Sequence, residues 1–595
     1  MLMANREPIQ YVEMDIDYCS LSYGTGACAA ILGTTGDLKC FNTFKTCQDI
    51  ANFTKSVKTL KFINNRANLP KGLQAYPCLR ENGITAFSST VNIAGGNSKY
   101  NAFGRRATVD ITLDDFIDSD TYLDKYQAER VSGAAQASGV GYNPKDRGTF
   151  FTRLKSRFPY YAGRPLRIID GYIDDGVLTV VQTRHFIITD MKGPDSDGSI
   201  TLSGKDVLAL ADDKKAVAPF TSKGKLDRDI TEAVGQTFTL TPDGIGAEYS
   251  SSGWATIGSE VVAFTRSGDD ITVTARAQYG TKISSHSEAD TFQEAWNIQS
   301  MRVDDLLYEL LTVYAKVDPT FCPKATKWEP EITTWLSGLK LDTVIAKPTG
   351  VSQLIGELAE LGLSIWWDEV NQEIGLQASH PVTDEEITPI SDRDNIKSIS
   401  QEDNDDERIT QVHFYLKQSD PTVDYKSKSN YDQINVIVDT DSESENAYDS
   451  STIREVYCRW LNNGAQSITR LIALRLLNRF NTAPKTVTVT LDAADRGLGL
   501  TDVAKLSSYV ITDETGAPKD TLMQVFQVKE SKSGHEIQVS MQEFQYQGGR
   551  SGYCMPNTTT STYDTATDLE RAAGNFAVDG TTLKFSDGTG PYVAI

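Results

Sequence analysis

The chain of 595 residues sets 58 Lys and Arg against 80 Asp and Glu, a net charge of −22, with 39% hydrophobic and 23% charged residues. This is the composition of an ordinary globular protein. It has no apolar run approaching a membrane span, and eight cysteines in such a length exclude a disulfide-dense scaffold. An acidic surface repels polyanions, so nucleic-acid binding through clustered Lys and Arg is not expected.

Length alone predicts about four domains. The start, MLMANREPIQYVEMDID, has no apolar core and no small-residue cleavage site, so no signal peptide is expected. In YVEMDID the residues alternate: Val12, Met14 and Ile16 face one way, Glu13, Asp15 and Asp17 the other. ATVDITLDD does the same with Ala107, Val109, Ile111 and Leu113 against Thr108, Asp110, Thr112 and Asp114. TVTVTL (486–491) and EIQVSM (536–541) repeat it. Period-two alternation of this kind predicts half-buried antiparallel strands. KGPDSDG (192–198) and RSGDD (266–270) supply the Gly, Pro and Asp of tight turns.

Three helices are predicted. MRVDDLLYELLTVYAKV (301–317) aligns Val303, Leu306, Leu307, Leu310 and Tyr314. VSQLIGELAELG (351–362) aligns Val351, Leu354, Ile355, Leu358 and Leu361 and ends in Gly362 as a C-cap. QSITRLIALRLLNRF (466–480) is the third, with Arg470, Arg475 and Arg479 assigned to its solvated side. The stretch 254–281 reads as a compact β segment behind a Gly/Ser/Lys boundary near 221–226. QEDNDDE (401–407) and DTDSESEN (439–446) read as solvated loops, and the chain after about 547 as an extended polar tail that orders on a partner. The fold expected is mainly β with a small α/β part, built from several domains.

Four of the eight cysteines, Cys19, Cys28, Cys40 and Cys47, stand in one short window, while Cys78, Cys322, Cys458 and Cys554 are scattered. The window has neither the close ligand pairs of zinc sites nor the CxxC of thioredoxin-type redox chemistry. Four thiolates from a strand, a Gly-rich loop and a following segment suit an iron–sulfur cluster. Gly24, Gly26, Ala27, Ala29 and Ala30 would let backbone N–H groups approach the sulfides, and Tyr18, Tyr23, Phe41 and Phe44 would exclude water. Two disulfides, buried free thiols and zinc remain open alternatives at this stage.

Other chemistry has weaker signals. His185, His286, His380, His413 and His535 are isolated and read as structural. No GxSxG, P-loop or strand–GxGxxG–helix unit occurs, and DSDG (195–198) reads as a hairpin turn, not a calcium loop. WWDE (366–369) reads as a strand end with Ile365 and Trp367 packed on one face and the acids opening a turn. The competing reading is a sugar cleft with Asp368 and Glu369 as acid and base.

YGTGACAA, KCFNTFKTCQD and KTLKFINN together resemble the Cys-rich segment of tail hub proteins from long-tailed siphophages and gene-transfer-agent particles. RFPYYAGRPLRIIDGYID, SGKDVLALADDKKA and EVVAFTRSGDDITVTARAQYGT resemble their successive β segments. NRFNTAPKTVTVTLDAADRGLGLTDVAKL and VSMQEFQY resemble their second barrel. The likeness covers roughly residues 10–548. It departs from the YGxxPC form at Ala27, and the cysteines here are N-terminal where lambda-type relatives carry theirs near the C-terminus.

The resemblance implies two tube-forming antiparallel β-barrel domains with inserted small β and α/β domains. The corresponding divisions are 1–79 (Cys-rich), 80–224 (first barrel), 225–297 (small β), 298–385 (α/β), 386–548 (second barrel) and 549–595 (tail). It implies a non-enzymatic homotrimer forming a pseudo-hexameric ring at the distal end of a virion tail, assembled in the host cytoplasm and active in genome ejection. Cys19, Cys28, Cys40 and Cys47 would hold a cluster, [4Fe-4S] in type. Implied partners are the distal tail protein ring, the C-terminus of the tape-measure protein and a central tail fibre or tip protein. Phage DNA would pass without specific binding, and no stable membrane insertion is implied. Functions of other classes are an iron–sulfur redox protein and a tail-associated cell-wall hydrolase.

Overall fold

The computed structural model describes residues 7–544 apart from 32–33, 36–39, 65–68, 86–87, 94–106, 121, 127–145, 337, 381, 383–385, 463–465, 493–496 and 533–535. The fold is mainly β and multidomain, as the alternation predicts. The 549–595 tail and His535 lie outside the described residues.

An eight-stranded sheet opens the chain. Its order is Tyr76–Pro77, Lys55–Ile63, Glu7–Cys19, Pro165–Asp174, Val177–Lys192, Ser199–Lys205, Thr108–Asp114 and Leu79–Ile84. The predicted inward set holds: Val12, Met14, Ile16, Val109, Ile111 and Leu113 are all in the core. A helix the sequence reading missed, Phe150–Arg157, covers this face with Phe150, Phe151 and Leu154. Phe150 stacks on Phe116 at 4.8 Å, and each such buried aromatic contributes on the order of 2–3 kcal/mol.

A seven-stranded sheet follows, in the order Lys225–Leu226, Thr237–Thr241, Asp270–Ala275, Glu260–Ser267, Ser252–Ile257, Phe292–Met301 and Leu341–Ile345. Phe238, Phe264 and Phe292 fill its own core. RSGDD forms the predicted turn, with Ser267 paired to Asp270.

The helical middle is built as expected, with two differences. Val303–Glu309 is α-helical, but the next turn, Leu310–Tyr314, widens to a π-helix, and a further helix, Glu329–Trp335, was not predicted. Val351–Ala359 ends where Gly362 takes φ +84°, the C-terminal glycine geometry expected. The helix Gln466–Phe480 matches its predicted span, but Arg479 is buried and donates to Gln524 Oε1 at 2.7 Å. Its assignment to the solvated side is therefore corrected: the helix is gripped on that side by the strand carrying Gln524.

The helix 466–480 and the strands Gln411–Gln418, Tyr431–Val438 and Ile453–Tyr457 share one core with the α/β segment. Glu357 and Arg459 pair inside it at 2.7 and 2.6 Å. The apolar residues of 409–480 therefore belong to the core of the α/β segment, while Ile390, Ile396 and Ile399 before them belong to that of the last sheet. QEDNDDE is likewise not all loop: residues 401–403 complete the strand Ile396–Asp403.

The last sheet runs Ile387–Ser391, Val503–Ser507, Thr521–Lys532, Glu536–Glu543, Lys485–Asp492 and Ile396–Asp403. Val487, Val489, Leu491, Ile537, Val539 and Met541 point into its core as the alternation predicts. Ser88–Thr90, from the early part of the chain, pairs with Thr521–Lys532 and ties the two ends together. Among the described residues no helix is long and apolar enough to cross a membrane.

Candidate metal centre

Cys19 is the last residue of its strand, opposite Lys55, so the whole Cys window is the connection between two paired strands of the first sheet. Ser20 N–H donates to Thr54 O at 3.0 Å and closes the base of that loop. Gly24 and Gly26 sit at φ +64° and +63°, where only a residue without Cβ turns freely, and bend the chain into Cys28. Cys47 ends the short 3-10 turn Phe44–Thr46, its N–H donating to Phe44 O at 3.2 Å. Asp49 Oδ2 accepts from Ala29 N–H at 2.6 Å and joins the Cys28 arm to the Cys47 arm.

These elements bring the four thiols into one neighbourhood. All four are free, and only Cys19 is fully buried. Burial pushes the Cys40 thiol up; the Asn42 N–H opposes this, and the nearby Cys47, Cys19 and Cys28 reinforce it. Burial also raises Cys47, against the Asp49 N–H, with Cys19 and Cys28 again close enough to add. Iron ligation needs the thiolates, so a metal group would have to displace these protons. Among the described residues no three or more metal-binding side chains already close around a single ion.

The donor set fits an iron–sulfur cluster in chemistry: four soft thiols with backbone N–H groups aimed at the sulfur. Asn42 N–H donates to Cys40 Sγ at 3.3 Å and Asp49 N–H to Cys47 Sγ at 3.4 Å. Hydrogen bonds of this kind stabilise thiolate and tune a cluster's potential. Both come from residues two positions after a cysteine, not from the small residues at 24–30 that the sequence suggested.

The aromatic shield is also only partly the predicted one. Tyr23 OH donates to Gln48 Oε1 at 2.7 Å, and Phe41 lies under the Arg157 guanidinium at 3.9 Å. Phe44 instead turns outward, against Phe53 and Tyr160. Sequence reasoning missed Tyr126, whose hydroxyl accepts from Tyr23 N–H at 2.5 Å and neighbours Cys40 and Cys28. Nearby Lys125 donates to Ser22 Oγ at 2.9 Å. Nothing local in the sequence signals these residues, because they come from about a hundred positions away.

The competing sites resolve into structure. His286 bonds Glu260 at 2.9 Å, His380 stacks on Trp335 at 4.4 Å, and His413 bonds Gln411 at 3.0 Å. Asp197 of DSDG accepts from Ser199 N–H at 3.0 Å within a hairpin turn. In WWDE, Ile365 and Trp367 are buried, and Trp366 packs on Val91 and Ile93. Asp368 Oδ1 accepts from Val370 and Asn371 N–H at 3.0 and 2.9 Å, the turn expected.

No protein-family model matches the chain, and no curated protein matches it. Solved structures do. A tail protein from Neisseria meningitidis aligns at 12% identity and TM-score 0.36 over 78% of this chain and 92% of that one. A 43 kDa prophage MuSo2 tail protein from Shewanella oneidensis aligns at 9% identity and TM-score 0.32 over 77% and 92%. A chain of a native gene transfer agent virion aligns at 10% identity and TM-score 0.26 over 81% and 87%.

Proposed function

We propose that the chain is a structural, non-enzymatic hub of a siphophage-type tail tip. Three copies form a pseudo-hexameric ring that joins the tail tube and distal ring to the host-binding tip and encloses the genome exit channel. The tape-measure C-terminus and a central fibre or tip protein are its proposed neighbours, and DNA passes without specific binding. The observation carrying this reading is the pair of large, mainly antiparallel sheets at either end of one chain, tied by Ser88–Thr90. Two such units per subunit suit a threefold assembly that meets a sixfold tube, and ring closure removes exposed strand edges. The sequence resemblance and the net charge of −22 agree with it.

Within that reading Cys19, Cys28, Cys40 and Cys47 hold a [4Fe-4S] cluster. When bound, the cluster supplies a cross-link among the strand end, the Gly-rich loop and the following turn. The chain's own residues close the loop base, hold the arms together through Asp49 and direct N–H groups at sulfur.

Native mass spectrometry of protein purified without oxygen tests both halves. A trimer with iron and sulfide on every chain, lost from a Cys40→Ser variant, is expected. A bare monomer lighter by two hydrogens per cysteine pair overturns the cluster, and a monomer at every concentration overturns the ring.

A further inference from the structure

Asn42 makes more bonds within the thiol site than any ligand does. It is 1% exposed and sits at φ +58°, the left-handed region that Asn tolerates better than other residues with a Cβ. Its carbonyl accepts from Cys19 N–H at 2.7 Å, and its side-chain Nδ2 donates to Cys19 O at 3.2 Å. Both main-chain polar groups of Cys19 are thus taken by one residue. The same Nδ2 donates to Leu21 O at 3.0 Å, and the main-chain N–H donates to Cys40 Sγ at 3.3 Å. The Tyr126 hydroxyl lies beside the Asn42 side chain.

We propose that Asn42 is the positioning residue of the four-thiol site, holding Cys19 and Cys40 in ligating position before any iron arrives. The inference rests on the cluster reading above. A separate residue is needed because Cys19 ends a strand while Cys40 lies 21 positions on, with no ladder joining them. Partners that orient metal ligands are worth about 10–100-fold in affinity when removed.

The experiment compares iron release to a ferrous chelator, and the EPR signal of the reduced cluster, in wild type, Asn42→Ala, Asn42→Gly and Asn42→Asp of the full chain. Asn42→Ala strains the left-handed turn and loses the amide, and should release iron at least about 10-fold faster with a shifted signal. Asn42→Gly keeps the turn and the N–H to sulfur, so it should return the signal to that of wild type while releasing iron at an intermediate rate. Asn42→Asp also tolerates the turn but removes both amide donor bonds and adds negative charge beside the thiolates. It should therefore be worse than Asn42→Gly, whereas a purely conformational role would leave Asn42→Gly releasing iron at the wild-type rate. Wild type without iron and sulfide removes the cluster reading itself. Loaded wild type with Asn42→Ala at its release rate overturns the Asn42 assignment alone. Should Asn42→Ala not fold, Asn42→Gly releasing iron at the wild-type rate overturns it.

Discussion

Glu260 and Arg276 form a two-pronged ion pair at 2.8 and 2.7 Å with the carboxylate wholly buried. The same carboxylate accepts from Ala277 N–H at 2.9 Å and Ser284 N–H at 3.0 Å, and bonds His286 Nε2 at 2.9 Å. One side chain therefore pins the entire loop from 276 to 286 against the seven-stranded sheet. Removing it leaves a buried guanidinium without its counter-charge, which costs about 3–5 kcal/mol. In Glu260→Ala, hydrogen exchange at the amides of Ala277 and Ser284 should speed up by at least a hundredfold. Unchanged protection there would mean that the loop is held by other contacts.

The pair also sets an acid limit. Burial alone pushes the Glu260 carboxyl up, but the donors of Arg276, Ala277, His286 and Ser284 outweigh it and bring it down to about 2. A carboxylate held below its ordinary value of 4.5 stabilises the fold above that pH. The contribution is lost as pH falls from 4.5 through about 2. Thermal melting of wild type should therefore decline over that window, and Glu260→Gln should show a smaller decline. Parallel curves for the two proteins would place the acid sensitivity elsewhere.

Glu369 has the opposite sign. Burial raises its carboxyl to about 7; Arg184 pulls it down, and Asp368 and Asp206 push it further up. The folded state thus favours the protonated form, and stability present below 4.5 is lost as pH rises through about 7. Glu369→Gln keeps the shape and removes the ionisation. It should melt like wild type near pH 4.5 and higher than wild type at pH 8. Equal melting at both values would show that the carboxyl is solvated.

Gly280 marks a close approach between the small β sheet and the segment after Gln418. It sits at φ +74°, and a Cβ there would overlap the carbonyl oxygen of Ser419. Gly280→Ala must move one of the two backbones and adopt a disfavoured φ, costing about 1–3 kcal/mol. A melting point lower by several degrees is expected, whereas Ala at the open, left-handed Gly235 carries only the φ penalty and should cost less. The same fall at both positions would remove the contact with Ser419 as its cause.

Much of this protein was legible without its structure. Alternation fixed the inward faces of residues 12–16, 107–113, 486–491 and 536–541, because side chains on a strand repeat every two residues whatever the strand pairs with. The helix 466–480 was legible from its apolar spacing, and so was the gathering of four of the eight cysteines into one connection between strands. Pairing and company were not legible. Arg479 looks solvated in the sequence, but Gln524 reaches it from another strand. Segment 411–480 looks like part of the last sheet, yet its apolar residues join the helical core. Tyr126 gives no hint that it braces a loop a hundred residues earlier. Local spacing decides which face of an element is apolar; which other element covers that face depends on contacts distant in sequence, and only the tertiary structure decides those.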